Sequence, residues 1–270
     1  MSNISDKAYI DPKAKVGNNV TIMPFAYIEG DVEIGDGCVI YPFTSIMNGT
    51  RMGKNNHVHQ GAVISAIPQD FNYKGGQTLT IIGDDNIIRE NVVIARSSKE
   101  GKKNLADKDC EYYATWIGNR NFFMEGVHIC HDVRIGYDNV LGYGSKVAGE
   151  VFMQDDIILS TNVVINEKVR IGRTSMIGAN SFVTKDVPPY IIATGSPIEY
   201  SGANKTILEK LGKDEKVVSH IANAYRLVFN GQTDILDVCR QIEQQIPDGK
   251  EIQNIVKFLR DSKLGLITKM

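Results

Sequence analysis

The sequence has few of the features that mark exported, membrane-spanning or disulfide-stabilised proteins. Its 270 residues include four cysteines, scattered without a Cys-x-x-Cys pair, which argues against a disulfide framework or a thiolate metal site. It contains no run of about 18 apolar residues, and residues 1–10 lack the apolar core of a signal peptide. We therefore expect a cytoplasmic protein that is not an integral membrane protein.

A strong net charge is also missing. The 30 Lys and Arg residues nearly balance the 32 Asp and Glu residues, which leaves a formal net charge of -2. Such a chain has no overall attraction to nucleic acid or to an anionic membrane surface. With 42% hydrophobic and 23% charged residues, the composition is that of an ordinary folded protein. We predict no nucleic-acid partner, and ligands must be argued from local sites.

The most abundant feature is an aliphatic residue that returns every six positions. The runs comprise Ile10, Val16, Ile22, Ile28, Ile34, Ile40, Ile46, Met52, Val58 and Ile64, then Ile82, Ile88 and Ile94, then Ile117, Phe123, Ile129, Ile135, Leu141, Val147, Met153, Leu159, Ile165, Ile171, Ile177 and Val183. A period of six matches neither the 3.6-residue period of an α-helix nor the two-residue period of a strand. It suits short strands joined by tight turns, with one aliphatic side chain per strand facing inward.

Such strands must be stacked to be stable. Three hexapeptides complete one triangular coil, whose three inward side chains contribute roughly 5 to 9 kcal/mol. Ordering the backbone of that coil costs about 18 to 36 kcal/mol, so a single coil is unstable. Neighbouring coils add the missing burial and the backbone hydrogen bonds. The repeat therefore predicts a parallel β-helix.

The six-residue pattern ends near Val183, and a helical pattern follows. The segment Asp186-Val187-Pro188-Pro189-Tyr190 indicates the exit from the solenoid. Asp214 and Thr233 are predicted to cap two amphipathic helices, and a third helix is predicted from about Lys250. We predict a β-helix domain over residues 1–198 and a helical domain over 199–270, which covers the open end of the solenoid or packs on a neighbouring subunit.

Two insertions interrupt the repeat, near residues 65–79 and 97–115. Both exceed the roughly 12 residues beyond which loops are usually functional or disordered. The first contains Ile67-Pro68-Gln69-Asp70-Phe71-Asn72-Tyr73, and its carboxylate, amide and aromatic groups suit a polar ligand with a planar ring. The second is charged at its start, so a loop without a binding role is an equally open interpretation.

Two of the five histidines flank an inward-facing residue of the repeat. His128 and His131 lie on either side of Ile129, so both are expected on the coil surface. A neutral imidazole is a natural general base near pH 7, and Asp132 or a backbone carbonyl would orient it. The alternative is a pair of solvated surface histidines, because a single His-x-x-His is a weak signal. The other histidines, expected to be structural or solvated, are His57, His59 and His220.

The spacing of the histidines does not match that of a known zinc site. Some hexapeptide β-helix proteins hold zinc with three histidines across a subunit interface, and these have a His-x-x-x-x-His spacing. The close histidine pairs of this chain are His57-x-His59 and His128-x-x-His131, which do not match that spacing. We predict no metal site.

Several motifs, taken together, resemble those of one family. They are Ile67-Pro68-Gln69-Asp70, Ile88-Arg89-Glu90-Asn91-Val92, Met124-Glu125-Gly126-Val127-His128-Ile129-Cys130-His131-Asp132, Ala148-Gly149, Asp186-Val187-Pro188-Pro189-Tyr190-Ile191-Ile192-Ala193, Asn223-Ala224-Tyr225-Arg226 and Gly265-Leu266-Ile267. Over essentially the whole chain, the sequence resembles the acyl-carrier-protein-dependent UDP-N-acetylglucosamine O-acyltransferases, which begin lipid A synthesis in Gram-negative bacteria. The resemblance implies a left-handed β-helix and a homotrimer with its active sites between subunits.

The resemblance also implies roles for individual residues. His131 would take the proton of the sugar 3-hydroxyl, Asp132 would support it, and the Gly149 N–H would stabilise the oxyanion. The substrate-binding positions are Gln69, Asp70, His128, Glu150, Asn204 and Lys210, and the acyl-chain positions are Met124 and Ala179. The partners would be acyl carrier protein, whose phosphopantetheine thioester is the co-substrate, and a UDP-sugar. No cofactor is implied.

The chain departs from the family pattern at several positions. Asn72 and Lys210-Leu211 replace a lysine and an arginine pair, Ala95, Glu150 and Asn166-Glu167 replace histidines or a His-Gln pair, and Ala179 replaces a glycine. Fewer cationic groups weaken the grip on diphosphate and phosphopantetheine, because each charged hydrogen bond is worth roughly 1.5 to 3 kcal/mol. Two alternatives therefore stay open: a sister acyltransferase acting on another sugar nucleotide or an amine, and a nucleotide-binding trimer without catalysis.

Overall fold

The computed structural model describes residues 2–71, 73–100, 113–230 and 234–268. Within these residues the chain forms 28 β-strands, numbered β1 to β28 in chain order, and four α-helices. Most strands are two to four residues long, and successive strands contribute in turn to three sheets. The chain is therefore a parallel β-helix, as the six-residue repeat predicts.

The three sheets, here called A, B and C, form the three sides of the solenoid. Sheet A contains β1 (Asn3–Ile4), β4 (Thr21–Ile22), β7 (Val39–Ile40), β10 (His57–Val58), β13 (Ile87–Ile88), β16 (Phe122–Phe123), β19 (Val140–Leu141), β22 (Ile158–Leu159), β25 (Met176–Ile177), β27 (Ile191–Thr194) and β28 (Glu199–Ala203). Sheet B contains β2 (Tyr9–Ile10), β5 (Tyr27–Ile28), β8 (Ser45–Ile46), β11 (Val63–Ala66), β14 (Val93–Ala95), β17 (His128–Ile129), β20 (Lys146–Val147), β23 (Val164–Ile165) and β26 (Phe182–Val183). Sheet C contains β3 (Lys15–Val16), β6 (Val32–Ile34), β9 (Thr50–Met52), β12 (Leu79–Ile82), β15 (Ala114–Ile117), β18 (Arg134–Ile135), β21 (Phe152–Met153) and β24 (Arg170–Ile171).

The core is the column of repeat aliphatics inside this triangular prism. Every repeat residue from Ile22 to Val183 is at most 5% exposed, so the inward orientation predicted from the spacing is confirmed. Ile10 and Val16 are only partly buried, because the first coil has a neighbouring coil on one side only. Burial is thus supplied by stacking, as the energetic argument requires.

A ladder of asparagines runs through the core at the corner between sheets C and A. Its members, Asn56, Asn86, Asn121 and Asn139, occupy equivalent positions in successive coils and are at most 1% exposed. The Asn121 side-chain oxygen accepts hydrogen bonds from the backbone and side-chain N–H groups of Asn139, at 2.9 and 3.0 Å. Asn121 donates in the same way to Asn86. Each rung therefore satisfies buried polar groups of the next coil.

The helices pack on the last coils of the solenoid. They are α1 (Lys205–Lys210), α2 (Glu215–Asn230), α3 (Ile235–Gln245) and α4 (Lys250–Arg260). The Tyr225 hydroxyl in α2 donates to the Pro189 carbonyl at 2.5 Å, and the Asn254 amide in α4 donates to the Tyr190 hydroxyl at 2.9 Å. Among the described helices, the longest has 16 residues, and none combines the length and apolarity needed to cross a bilayer.

The predicted helix starts compare well with these bounds. The Asp214 side chain accepts a hydrogen bond from the Val217 N–H at 2.8 Å, so it caps α2 as predicted. Thr233 lies outside the described residues. The short helix α1 was not predicted, since its six residues carry no clear amphipathic pattern. The domain boundary at residue 198 stays a prediction; β28 pairs with β27 across it.

The asparagine ladder yields a stability prediction. Replacement Asn121→Ala removes the acceptor of the Asn139 N–H groups and the side-chain donor to the Gly136 carbonyl, while the Asn86 oxygen keeps the backbone N–H of residue 121. We expect the free energy of unfolding to fall by roughly 1 to 3 kcal/mol per orphaned group. Urea unfolding of the variant would measure this. The control is Asn3→Ala, an exposed position in β1, which is expected to change stability by less than about 0.5 kcal/mol. Equal effects of the two substitutions would contradict the role of the ladder.

Candidate active site

The corner between sheets B and C brings together residues that are far apart in the sequence. The first insertion joins β11 to β12, and the second joins β14 to β15. The next two coils turn at residues 130–133, between β17 and β18, and at residues 148–151, between β20 and β21. Because the coils stack directly on one another, these four connections are neighbours. This corner contains Asp70, His131, Asp132, Gly149 and Glu150.

His131 and Asp132 form a hydrogen-bonded pair at this corner. The His131 Nδ1 atom lies 2.8 Å from Asp132 Oδ2, and the two side chains are 17% and 8% exposed. Asp132 has a φ of 62°, a left-handed conformation that Asp tolerates better than most residues. This turn directs the His131 and Asp132 side chains toward each other. The alternative of two independent, solvated histidines therefore does not describe His131.

The Asp132 carboxylate receives several further hydrogen bonds. The Ser97 hydroxyl donates to Oδ1 at 2.5 Å, and Ser98 donates to Oδ2 through its hydroxyl at 2.8 Å and its N–H at 3.2 Å. Burial acts to raise the pKa of Asp132, but the hydrogen bonds from Ser97, His131 and Ser98 outweigh it and hold the pKa below its ordinary value. Asp132 is therefore ionised at neutral pH, with its carboxylate beside His131 Nδ1.

The first insertion places a second carboxylate near the other ring nitrogen. Asp70 Oδ2 lies 3.8 Å from His131 Nε2, which is longer than a direct hydrogen bond. A bound hydroxyl between the two atoms would reach both. Gln69 is exposed beside Asp70. Asn72, one of the departures from the family pattern, lies outside the described residues.

Gly149 packs against the face of the His131 ring. A Cβ atom at this position would lie 2.7 Å from His131 Cε1 and 2.9 Å from Nε2, so any side chain here would displace the imidazole. The Gly149 carbonyl accepts a hydrogen bond from the Lys168 N–H at 3.0 Å. Among the described residues, none accepts a hydrogen bond from the Gly149 N–H. This donor is therefore available to a ligand beside the imidazole.

Glu150 and His128 border the pair, and the Glu150 N–H donates to the His131 carbonyl at 3.1 Å. Glu150 forms an ion pair with Lys99, at 2.7 Å, so the acid that replaces a family histidine is neutralised within the chain. His128 projects outward from β17 and is half-buried. Burial lowers the pKa of His128, and the neighbouring Lys146 lowers it further. The neutral form that can accept a hydrogen bond from a sugar is therefore favoured.

Four predicted positions lie elsewhere in the single chain. Met124 and Ala179 lie at the corner between sheets A and B, on the opposite border of sheet B. Lys210 is exposed at the end of α1. The Asn204 side chain is buried and donates to the Thr174 carbonyl at 2.9 Å, so it holds α1 to the last coils. Its role in substrate binding stays a prediction.

The sequence reasoning missed the groups that surround Asp132. Ser97 and Ser98 begin the second insertion and Thr115 ends it, and the Thr115 hydroxyl accepts from the Asp132 N–H at 2.9 Å. The available signal was the stacking register, which places the ends of an insertion over the turn of the next coil. In the described part of the chain, no three His, Cys, Asp or Glu side chains cluster closely enough to hold a metal ion.

The chain is similar to known proteins along its whole length. A family model described as UDP-N-acetylglucosamine O-acyltransferase, domain 2, matches residues 186–267, and a model of bacterial transferase hexapeptide repeats matches residues 13–46. An acyl-[acyl-carrier-protein]–UDP-N-acetylglucosamine O-acyltransferase from Halorhodospira halophila is 36% identical over 99% of this chain and 100% of its own length. One from Syntrophobacter fumaroxidans is 34% identical over 98% of this chain and 99% of its own.

Solved structures give the same result. A UDP-N-acetylglucosamine acyltransferase from Bacteroides fragilis superposes with a TM-score of 0.89 at 41% identity, covering 97% of this chain and 99% of that one. The enzyme from Moraxella catarrhalis superposes with a TM-score of 0.88 at 30% identity, covering 98% and 99%. The predicted fold class, a left-handed parallel β-helix with a C-terminal helical part, is confirmed.

The environment of Asp132 predicts a pH-dependent contribution to stability. A carboxyl whose pKa is lowered by folding stabilises the protein above its unfolded pKa, about 3.9, and this contribution is lost as the pH falls through the folded value. Asp132→Asn should therefore lower the free energy of unfolding at pH 7, and the difference from wild type should shrink below about pH 4. Urea unfolding at several pH values measures this. Asp6→Asn, at an exposed position, is the control; a gap at Asp132 that does not change with pH would refute the assignment.

Proposed function

Because the chain belongs to the family of acyl-[acyl-carrier-protein]–UDP-N-acetylglucosamine O-acyltransferases, we propose that the corner around His131 is its catalytic centre. The enzyme transfers an acyl group from acyl carrier protein to UDP-N-acetylglucosamine, a reaction of lipid A biosynthesis. The observation that carries the assignment of the centre is the 2.8 Å contact between His131 Nδ1 and Asp132 Oδ2. It makes Nδ1 the protonated nitrogen and leaves the Nε2 lone pair free to accept a proton.

In the proposed mechanism, His131 acts as the general base. Its Nε2 takes the proton of the sugar 3-hydroxyl as that oxygen attacks the thioester carbonyl carbon. Asp132 stabilises the imidazolium that forms. The tetrahedral oxyanion accepts a hydrogen bond from the Gly149 N–H, which lies beside the ring. Collapse of the intermediate breaks the carbon–sulfur bond, and the imidazolium returns its proton to the departing phosphopantetheine thiolate.

The sugar nucleotide is held by polar groups of the same corner in this proposal. Asp70 accepts a hydrogen bond from a sugar hydroxyl in the gap of 3.8 Å between its carboxylate and His131 Nε2. Gln69 and His128 contribute further hydrogen bonds. The acyl donor is the thioester of phosphopantetheine on acyl carrier protein, so we propose no cofactor. We place the reaction in the cytoplasm, because a carrier protein and a charged nucleotide are both water-soluble substrates.

We further propose that the enzyme is a homotrimer. The outward-facing side chains of sheets A and B are mostly apolar and include Val39, Ile87, Phe122, Val140, Ile158, Val63, Val93, Val164 and Phe182. Those of sheet C include Lys15, Glu33, Arg51, Arg134 and Arg170. At the corner between sheets A and B, Phe25 and Phe43 stack on each other while 54% and 64% exposed. Each chain thus has two adjoining apolar sides and one charged side. Three such chains can pack around one axis with their apolar sides facing one another and their charged sides outward.

This arrangement brings the acyl-chain positions toward the catalytic corner of a neighbouring chain. Met124 and Ala179 border sheet B on the side of the proposed axis, whereas His131 borders it on the outer side. If sheet B of one chain faces sheet A of the next, the cleft between them extends from one border to the other. We propose that the acyl chain and phosphopantetheine lie in this cleft. Glu150 and Lys210, two of the predicted substrate-binding positions, would lie at its polar ends.

The role of His131 is tested by acyl transfer from a panel of acyl carrier protein thioesters to UDP-N-acetylglucosamine. His131→Ala should lower kcat by a factor on the order of 10² to 10⁴, because a general base contributes that much. The control is His220→Ala, in helix α2, which should retain the wild-type rate. A His131→Ala variant as active as the control would show that the base lies elsewhere. A wild-type protein inert with every donor would favour an altered acceptor or a non-catalytic role.

The trimer is tested by sedimentation equilibrium. Wild type should have three times the mass of the chain, and Phe43→Glu should dissociate it because three copies of the charge would meet near the axis. The matched control is Phe152→Glu on sheet C, where the side chain is 37% exposed and lies on the charged side. A monomeric wild type, or dissociation by both substitutions alike, would overturn the proposed arrangement.

A further inference from the structure

The second insertion is attached to Asp132 at both of its described ends. At its start, the hydroxyls of Ser97 and Ser98 donate to the two different oxygens of the Asp132 carboxylate, at 2.5 and 2.8 Å. At its end, the Thr115 hydroxyl accepts from the Asp132 N–H at 2.9 Å. The side chain and the backbone of Asp132 are thus both held by this segment. Within the described residues, the carboxylate also accepts from the Ser98 N–H at 3.2 Å and contacts His131 Nδ1 at 2.8 Å.

We propose that Ser97 and Ser98 are positioning residues for acyl transfer: their hydroxyls hold the Asp132 carboxylate in the orientation that keeps the His131 imidazole aimed at the acceptor hydroxyl. The inference rests on the proposed function, in which His131 is the general base. It extends that proposal by assigning the start of the second insertion a part in the reaction. Both serines act through Asp132 and do not react themselves.

The physical reason is the rotational freedom of a carboxylate. Without the two hydroxyls, the bonds from His131 and from the Ser98 N–H would hold only Oδ2. The unheld Oδ1 would let the carboxylate turn about its terminal torsion, and the imidazole would turn with it. Donors on both oxygens remove this freedom, because rotation would break bonds on both sides. Partners that orient a catalytic or ligating histidine through its carboxylate commonly change activity by 10-fold or more.

The same serines also keep the carboxylate charged. Asp132 is largely buried, which by itself raises the pKa of the carboxyl, and the donors at Ser97 and Ser98 contribute to the net lowering. A neutral Asp132 would not stabilise the imidazolium that forms during the reaction. Orientation and ionisation of the carboxylate therefore depend on the same two hydroxyls.

Anchoring of the insertion alone does not account for these contacts. Lys99 already fixes the segment to the coil two turns further along through its ion pair with Glu150, at 2.7 Å. The Lys99 N–H also donates to Ser97 Oγ at 3.0 Å, which closes the local turn. The insertion thus has attachments that do not need the serine protons, yet both hydroxyls point to the catalytic carboxylate.

Ser98→Ala is the primary test, because Ser98 is only partly buried and the substitution removes a single oxygen. Loss of one hydrogen bond to a charged group corresponds to a factor of roughly 10 to 100, so we expect kcat to fall about 10-fold. The KM for UDP-N-acetylglucosamine should stay within about twofold, since the Asp70 loop is untouched. Ser98→Thr keeps the hydroxyl and should retain most of the activity. The double variant Ser97→Ala, Ser98→Ala should approach the rate of Asp132→Ala.

A double-mutant cycle separates positioning from a general structural role. In an Asp132→Ala background there is no carboxylate to hold, so adding Ser98→Ala should lower kcat no further. A structural effect on the fold would instead multiply in the combined variant. The control is Ser262→Ala, which removes a serine-to-aspartate hydrogen bond of the same length, 2.8 Å to Asp186, in the C-terminal segment. It should leave kcat within about twofold of wild type.

The outcomes distinguish this inference from the proposed function. The positioning role is wrong if Ser98→Ala and the double serine variant are both as fast as wild type. It is also wrong if adding Ser98→Ala lowers kcat further in the Asp132→Ala background. In either case His131 keeps its assignment. If His131→Ala itself retains full activity, the proposed centre fails and the serine role fails with it. A Ser98→Ala loss rescued by Ser98→Thr and abolished in the Asp132→Ala background supports the inference.

Discussion

The structure depends on the backbone hydrogen bonds between one coil and the next. No coil buries enough apolar surface to be stable alone, so every strand must pair with the strand one full turn away. His128 pairs with Lys146, and Val147 pairs with Ile165, each 18 residues further along. Because this pairing is parallel and in register, equivalent positions of successive coils form straight columns. The aliphatic core, the asparagine ladder and the proposed catalytic corner are three such columns.

The two insertions do not disturb this register. Their position in the stack of coils brings their polar residues to the candidate site. Val63 pairs with Val93, and Val93 pairs with His128, so the strands regain their register after each interruption. The added residues must leave the stack at the corner between sheets B and C, where they do not disturb the core. Their ends necessarily lie over the turn of the next coil. For the second insertion, that turn carries His131 and Asp132, which Ser97 and Ser98 contact. The first insertion leaves the stack one coil earlier and places Asp70 near His131.

The corner suits acid–base chemistry because it is polar but largely shielded from water. Asp132 is largely buried, and the hydrogen bonds from Ser97, His131 and Ser98 are the largest effects that lower its pKa. Gly149 lies against the imidazole because only a residue without a side chain fits there. Glu150, where relatives are expected to have histidine, is paired with Lys99. The altered charge is therefore compensated within the chain, and the His131–Asp132 pair is unaffected by it.

The sequence alone determined the fold, because a six-residue aliphatic period has few structural solutions and its inward side chains were identifiable one by one. It also determined the principal pair, since His131 and Asp132 are adjacent in the chain and occur within a recognisable motif. The tertiary structure decided what surrounds them. Ser97 and Asp132 are 35 residues apart, and no local pattern signals their contact; only the register of stacked coils brings them together. The tertiary structure also gave Asn204 a contact that no motif signalled, since its amide holds a helix to the solenoid.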